Sequence, residues 1–211
     1  MKVVAISGWK RSGKDTAANY LVDEYGYNRV AFADVLKDMV AQEYDIPRGH
    51  CDDPQFKEAP LHQYPVEPKD NFSRAIAEIM KGEFRDYNGK PYWTPRALCI
   101  LKGSVNRSVT SQFWTNKAIE LIINIDLENE TRHLDRSSLF VISDLRYNSE
   151  IAELRNTFQK DLITIRINRF DTCDSTDSSE RDLDNTQFDI VIENRESLSS
   201  FLRKLEDSLG L

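Results

Sequence analysis

The stretch Gly8-Trp9-Lys10-Arg11-Ser12-Gly13-Lys14-Asp15-Thr16 constrains this chain more than any other. It follows Val3-Val4-Ala5-Ile6, a short apolar run that reads as a buried strand, and it precedes a helical pattern from residue 14 to about residue 25. Gly26 then stands where a C-terminal cap belongs. Strand, glycine loop, lysine and helix in that order are the context of a phosphate-binding loop. Gly8 and Gly13 permit backbone conformations and close approaches that a Cβ would obstruct. The loop amides and the helix N-terminus carry partial positive charge toward a polyphosphate. Lys14 is placed to reach its β- and γ-phosphates, and Lys10, Arg11, Ser12, Asp15 and Thr16 complete the candidate nucleotide-binding set. The position after such a lysine is commonly Ser or Thr, whose hydroxyl meets Mg²⁺. Here it is Asp15, with Thr16 next. A carboxylate is a hard oxygen ligand too, so Asp15 is a candidate metal ligand and the choice between it and Thr16 stays open.

At 211 residues the chain suits one α/β domain with room for small insertions. Its 40% hydrophobic and 30% charged content is that of a globular protein. A formal net charge of -7 argues against a duplex nucleic-acid binder and favours small nucleotides. Cys51, Cys99 and Cys173 are scattered without a paired spacing, which fits a reducing compartment, and His50, His62 and His133 are equally dispersed. With no leader, apolar span or lipidation motif in the sequence, a cytosolic setting without membrane contact is expected.

Further along, Val30-Ala31-Phe32-Ala33 reads as a second strand, with Asp34 as the N-cap of a helix carrying Val35, Leu36, Met39 and Val40. Asp34 and Lys37 then lie beyond a strand end, where α/β sheets bind ligands. Residues 46–70 are irregular and proline-rich, too long for an ordinary connection. Phe72 to Met80 looks helical, and Asn88-Gly89 is a hairpin signal. Thr94-Pro95 opens another helix, Thr as cap and Pro as first helical residue. Arg96 stands in its first turn, against the helix dipole, and Arg107 lies eleven residues on, near the same face. The pair either grips phosphate or forms a solvated basic face. Phe113 to Leu127 reads as a core helix through Phe113, Ala118, Leu121, Ile122 and Ile125. Leu139 to Ser143 is a buried strand ending at Asp144, the position of a second magnesium-coordinating carboxylate in phosphate-loop proteins, and Arg146 follows. A helix carrying Ile151, Leu154 and Phe158, a strand over Leu162 to Ile167, an exposed polar loop within 169–187, a strand over Phe188 to Ile192 and a helix carrying Leu198, Phe201, Leu202, Leu205 and Leu209 complete the chain. The alternation predicts a three-layer α/β sandwich: a parallel sheet of about five strands with helices on both faces.

Several of these segments together resemble the bacteriophage deoxynucleoside monophosphate kinases, a phosphate-loop kinase family. They are the glycine loop at 8–16, Phe32-Ala33-Asp34-Val35-Leu36-Lys37, Thr94-Pro95-Arg96 through Gly103 to Arg107, Ile142-Ser143-Asp144-Leu145-Arg146 with Glu150, and Asp189 to Asn194 with Ser197-Leu198. Val35, where the family pattern has proline, and Lys102 beside an apolar face depart from it. The resemblance implies one kinase domain over 1–211, with a substrate-side insertion over 46–93. It implies transfer of the ATP γ-phosphoryl group to a deoxynucleoside monophosphate with Mg²⁺ as metal. Lys14, Arg96, Arg146 and Asp34 would then be catalytic. Asp34, Lys37, Arg96 and Arg107 would bind the acceptor, and Asp15 and Asp144 would hold the metal. Arg169 and Asn194 would lie near the adenine, and a homodimer is possible. The same loop also serves dephospho-coenzyme A and phosphomevalonate kinases, and nucleotide-binding switches that phosphorylate nothing.

Overall fold

The computed structural model describes residues 1–61, 93–131, 138–169 and 181–211. The expected helix at 72–80, the turn at Asn88-Gly89, and Cys173, His62 and His133 lie outside these residues. The described chain divides into two compact units, Met1–Phe32 with Thr115–Leu211, and Ala33–Trp114.

The first unit is built on a parallel sheet. Its strands are β1 (Lys2–Ser7), β2 (Asn28–Val30), β3 (Leu139–Leu145), β4 (Leu162–Asn168) and β5 (Ile190–Glu193), in the spatial order β2-β3-β1-β4-β5. β1 pairs with β3 from Lys2↔Leu139 and with β4 from Val3↔Leu162. Val3, Val4, Ala5 and Ile6 are all 0% exposed, so both faces of the central strand are covered, as a parallel sheet requires. Val4 and Ile6 face one side, together with Val141, Ile165 and Ile167. There they pack against Ala17, Ala18 and Leu21 of α1 (Lys14–Tyr25) and Phe201, Leu205 and Leu209 of the C-terminal helix (Leu198–Leu209).

The other face follows from handedness. The β1-α1-β2 connection moves one way across the sheet, and the connection from β3 to β4, through the helix Asn148–Phe158, moves the other way over β1. Two right-handed crossovers of opposite direction put their helices on opposite faces. That helix buries Ile151, Leu154 and Phe158, as its sequence pattern predicts. β1 and β3, neighbours whose connections leave in opposite directions, therefore flank the sheet's switch point. Ligand crevices of α/β sheets form beyond the strand ends at such a point. The glycine loop leaves β1 there, and Asp144 lies at that end of β3.

Several expected boundaries are corrected. The second strand is Asn28–Val30 rather than 30–33, and α2 (Phe32–Tyr44) begins at Phe32. Asp34 is therefore in the first turn of α2, not its N-cap, and the Phe32 amide donates to Asp144 Oδ1 at 2.9 Å. β3 continues through Asp144 to Leu145. β5 starts at Ile190, because Asp189 turns its carboxylate onto β4: Oδ2 accepts from Thr164 N at 2.8 Å and Thr164 Oγ1 at 2.7 Å. Leu121 and Leu198, expected in apolar stripes, are exposed.

Among the described residues of the second unit, α2 is followed by a 3₁₀ turn (Arg48–Cys51) and by α3 (Pro95–Val109). Thr94 caps α3 as expected, its hydroxyl accepting from Ala97 N at 3.0 Å, with Pro95 at the first helical position. Val40, Tyr44, Ile46, Cys51, Leu61 and Leu98 form the apolar centre, with Cys99 against it. Lys102, the departure from the family pattern, pairs with Glu43 at 2.5 Å. α4 (Phe113–Thr131) starts in this unit and returns the chain to the first; the helix Asn148–Phe158 is α5 and the C-terminal helix α6.

Burial opposes the Asp189 charge, but the Thr164 hydrogen bonds and nearby Arg155 outweigh it, and its pKa is lowered. The stabilisation this gives is fully present above the ordinary aspartate value and is lost as pH falls through the depressed folded value. Asp189→Asn should therefore lower stability near pH 7 and flatten its decline below about pH 4. Urea unfolding of both proteins across that range measures it, and identical pH profiles would contradict the assignment.

Candidate phosphate-binding site

The loop between β1 and α1 is held in a shape few sequences allow. Gly8 has φ +155° and Gly13 φ +108°, and Arg11 between them is left-handed at φ +66°. A Cβ on Gly8 would lie 2.5 Å from the Ile167 carbonyl oxygen, and one on Gly13 2.6 Å from Asn194 Nδ2. Within the loop Ser12 N donates to the Trp9 carbonyl at 3.0 Å, and Lys14 Nζ donates to the same oxygen at 2.9 Å. The N-cap of α1 is Gly13, which supplies no side-chain acceptor. The first-turn amides, left without such a cap, make an anion-binding end of the helix. Ser12 Oγ is buried with no hydrogen-bond partner among the described residues.

The loop is braced from behind. Asn194 Nδ2 donates to the Ser12 carbonyl at 2.8 Å, and Arg169 Nη1 to the Arg11 carbonyl at 3.5 Å. Both residues thus stand against the loop. Sequence reasoning missed Arg29 on β2, whose Nη2 donates to Asp15 Oδ1 at 2.8 Å while Nε reaches Ser143 Oγ at 3.1 Å. It links the two places where metal carboxylates were expected. The Asp15 side chain remains 74% exposed. The set Asp15, Thr16 and Asp144 is all oxygen, which suits Mg²⁺. Among the described residues no group of three or more His, Cys, Asp or Glu side chains is gathered to hold a metal alone. Arg146 follows β3, and its amide and that of Tyr147 donate to buried Glu150 at 2.8 and 3.0 Å. Glu150 thereby fixes the start of α5.

Asp34, Lys37, Arg96 and Arg107 belong to the second unit. Lys37 Nζ bonds Asp52 at 2.8 Å and Asp34 at 3.3 Å. Arg48, which the sequence did not single out, pairs with Asp34, Asp38 and Asp52. Burial opposes the Lys37 charge, but Asp52 and Asp34 outweigh it and its pKa is raised. Burial likewise opposes the Asp52 charge, and Lys37 and Arg48 outweigh it, so its pKa is lowered. Arg96 is exposed and pairs with Glu58 at 3.0 Å. The unbroken α3 sets the Arg96 and Arg107 Cα atoms about 16 Å apart along one face.

Cys51 and Cys99, scattered in sequence, share one apolar cluster and are both free thiols. A hydrogen bond from Cys99 pulls the Cys51 pKa down to about 7 against the effect of burial, with Arg48 and Lys37 adding to it. His50 lies stacked on Phe56, with ring centroids 4.8 Å apart. The end of the expected exposed loop is anchored: Leu183 is buried, and Asp182 accepts from Asn148 N at 2.7 Å.

Gly13→Ala must either meet Asn194 or leave φ +108°, a strain of about 1–3 kcal/mol. Urea unfolding should show that loss, and calorimetry with tripolyphosphate should show weakened binding. Unchanged values in both would mean that the loop does not need this conformation.

The deoxynucleotide monophosphate kinase family model matches residues 2–63, the segment running from β1 through the loop to the 3₁₀ turn and just beyond. The deoxynucleotide monophosphate kinase of Enterobacteria phage T4 is 32% identical over 138 residues, covering 64% of this chain and 56% of that protein. The chain thus spans little more than half the length of this curated relative. Among solved structures, a dephospho-CoA kinase from Campylobacter jejuni aligns with TM-score 0.46 and 12% identity over 99% of this chain and 96% of its own. A shikimate kinase from Aquifex aeolicus aligns with TM-score 0.39 and 12% identity over 99% and 96%. The fold assignment rests on the sheet itself and not on these likenesses. In sequence the chain is thus similar to the deoxynucleotide monophosphate kinase family over residues 2–63, the segment that carries the glycine loop, and to the phage T4 enzyme over 138 residues.

Proposed function

We propose that the chain transfers the γ-phosphoryl group of ATP to a deoxynucleoside monophosphate, giving the diphosphate and ADP. One observation carries this: the glycine-framed loop, with its uncapped helix end and Lys14, lies inside the segment similar to deoxynucleotide monophosphate kinases. The reaction asks little covalent chemistry of a protein. It needs in-line positioning and neutralisation of charge on the transferred group.

The loop amides from Gly8 to Thr16 would hold the ATP phosphates. Lys14 would exchange its contact with the Trp9 carbonyl for the β- and γ-phosphates. Asp15, Thr16 and Asp144 would hold Mg²⁺, directly or through water, which when bound offsets charge on the phosphates. Arg146 would offset charge between donor and acceptor. On the acceptor side Arg96, Lys37 and Arg107 would grip the monophosphate, and Asp34 would orient it. No strong general base is needed, because the attacking phosphate oxygen is already largely ionised near neutral pH. The acceptor cations now engage carboxylates, Lys37 with Asp52 and Arg96 with Glu58. Substrate phosphate would displace those partners.

ADP release in the presence of ATP and Mg²⁺, scanned over the four deoxynucleoside monophosphates and their ribose counterparts, tests the reading. Turnover with deoxynucleotides supports it, and silence across the panel with ATP still bound rejects it. Lys14→Ala should lower turnover at least ~100-fold, the scale of losing one preorganised transition-state contact. Arg96→Ala should raise the monophosphate KM about tenfold or more, with ATP affinity nearly unchanged, since a charged hydrogen bond contributes about 1.5–3 kcal/mol. Calorimetry showing lost ATP binding instead would move Arg96 to the donor side.

A further inference from the structure

Arg166 lies within β4 and is only 8% exposed. A buried guanidinium is retained only where its hydrogen bonds are met. Nη1 donates to Ser7 Oγ at 3.0 Å and Nη2 to Asp184 Oδ1 at 2.7 Å. The same Asp184 oxygen accepts from Trp9 Nε1 at 2.8 Å. The guanidinium carbon stands 5.6 Å from the Trp9 ring centroid and 6.0 Å from that of Phe188. Trp9 is therefore held twice, at its edge by Asp184 and across its face by Arg166. Its backbone carbonyl in turn holds Ser12 N and Lys14 Nζ. Ser7, the last residue of β1 before Gly8, is tied to the same guanidinium. One line of contacts thus runs from β4 to the lysine of the phosphate loop.

The proposed phosphoryl transfer gives Arg166 and Asp184 no task, since their hydrogen bonds go to protein and not toward a phosphate. A cavity of about 400 Å³ opens beside them, lined among others by Trp9, Arg166, Asp184 and Phe188. Of the charged groups on its wall, Arg166 and Asp184 are bonded to each other, and Arg195 pairs with Glu193.

The geometry points to Arg166 and Asp184 as positioning residues: by gripping Trp9 they set the shape of the phosphate loop and hold Lys14 ready for a polyphosphate. The ligand named here, ATP, rests on the phosphoryl-transfer reading; the grip on Trp9 does not. A tryptophan directly after a glycine, here Gly8, would otherwise sample many positions. A loop displaced by about an ångström can lose as much as a hundredfold in its task.

The test uses the full chain labelled with 5-fluorotryptophan, whose fluorine spectrum reports Trp9, Trp93 and Trp114 separately. In Arg166→Met the Trp9 resonance should shift and broaden while those of Trp93 and Trp114 stay in place, which a general loss of structure would not produce. Calorimetry should show ATP binding weakened about tenfold or more and deoxynucleoside monophosphate binding changed less than about twofold. Arg166→Lys keeps the charge but cannot span Ser7 and Asp184 together, so it should restore part of the ATP affinity. A folded Arg166→Met protein with an unmoved Trp9 resonance and ATP affinity within about twofold would overturn the inference. Should that variant not fold, Trp9→Phe decides, because it leaves an aromatic face toward Arg166 and removes the donor to Asp184. ATP binding weakened about threefold or more supports the grip, and unchanged binding overturns it. If the unsubstituted protein binds no ATP, the phosphoryl-transfer reading fails, while the Trp9 resonance of Arg166→Met still decides the grip.

Discussion

Helix α1 starts with a glycine in a left-handed conformation and no side chain to cap it. Most helices satisfy their first amides with a neighbouring serine, threonine or aspartate. Here the first amides have no side-chain cap. The loop ahead of the helix has to be stiff without filling its own concave side. Stiffness therefore comes from behind: Asn194 after β5 holds the Ser12 carbonyl, Arg169 after β4 holds that of Arg11, and the Ile167 carbonyl closes the space beside Gly8. These supports come from the two strands on one side of β1. The order β2-β3-β1-β4-β5 is what brings them next to a loop more than 150 residues earlier in the chain.

The strands were legible because buried parallel strands are short apolar runs, and 2–7, 139–145 and 162–168 are such runs. The glycine loop was legible because its spacing is demanded by backbone conformation. The β2–α2 boundary was not. Val30-Ala31-Phe32-Ala33 is apolar throughout, and a run that short fits a strand or a helix start equally well. What settles it is Asp144, which accepts from the Phe32 amide across 112 residues of sequence. Local pattern cannot contain that information. The same holds for the ion pairs of Arg29, Arg48 and Arg166. Sequence shows that an arginine is present, and only the fold shows which carboxylate it meets. Cys51 and Cys99, 48 positions apart and unremarkable in spacing, are neighbours for the same reason.

The second unit assembles its charges differently from the first. Around the glycine loop, Lys14 and Arg169 each donate to a backbone carbonyl, and Arg29 pairs with Asp15. Around α2, Lys37 and Arg48 share Asp34 and Asp52, Arg48 also takes Asp38, and Arg96 pairs with Glu58. A group that binds there must compete with carboxylates already in place. That lowers gross affinity but raises selectivity, because a weakly charged ligand cannot displace them.

The lengths of the strands carry one more consequence. Among the described residues the long strands are central, and the two at the borders of the sheet have three residues at β2 and four at β5. A border strand offers unpaired peptide groups to any passing chain, and the number offered scales with its length. Keeping both borders this short denies a second molecule the span it would need to extend the sheet. The protein can thus hold a fully parallel, apolar sheet and still resist the strand-by-strand stacking from which fibrous aggregates grow.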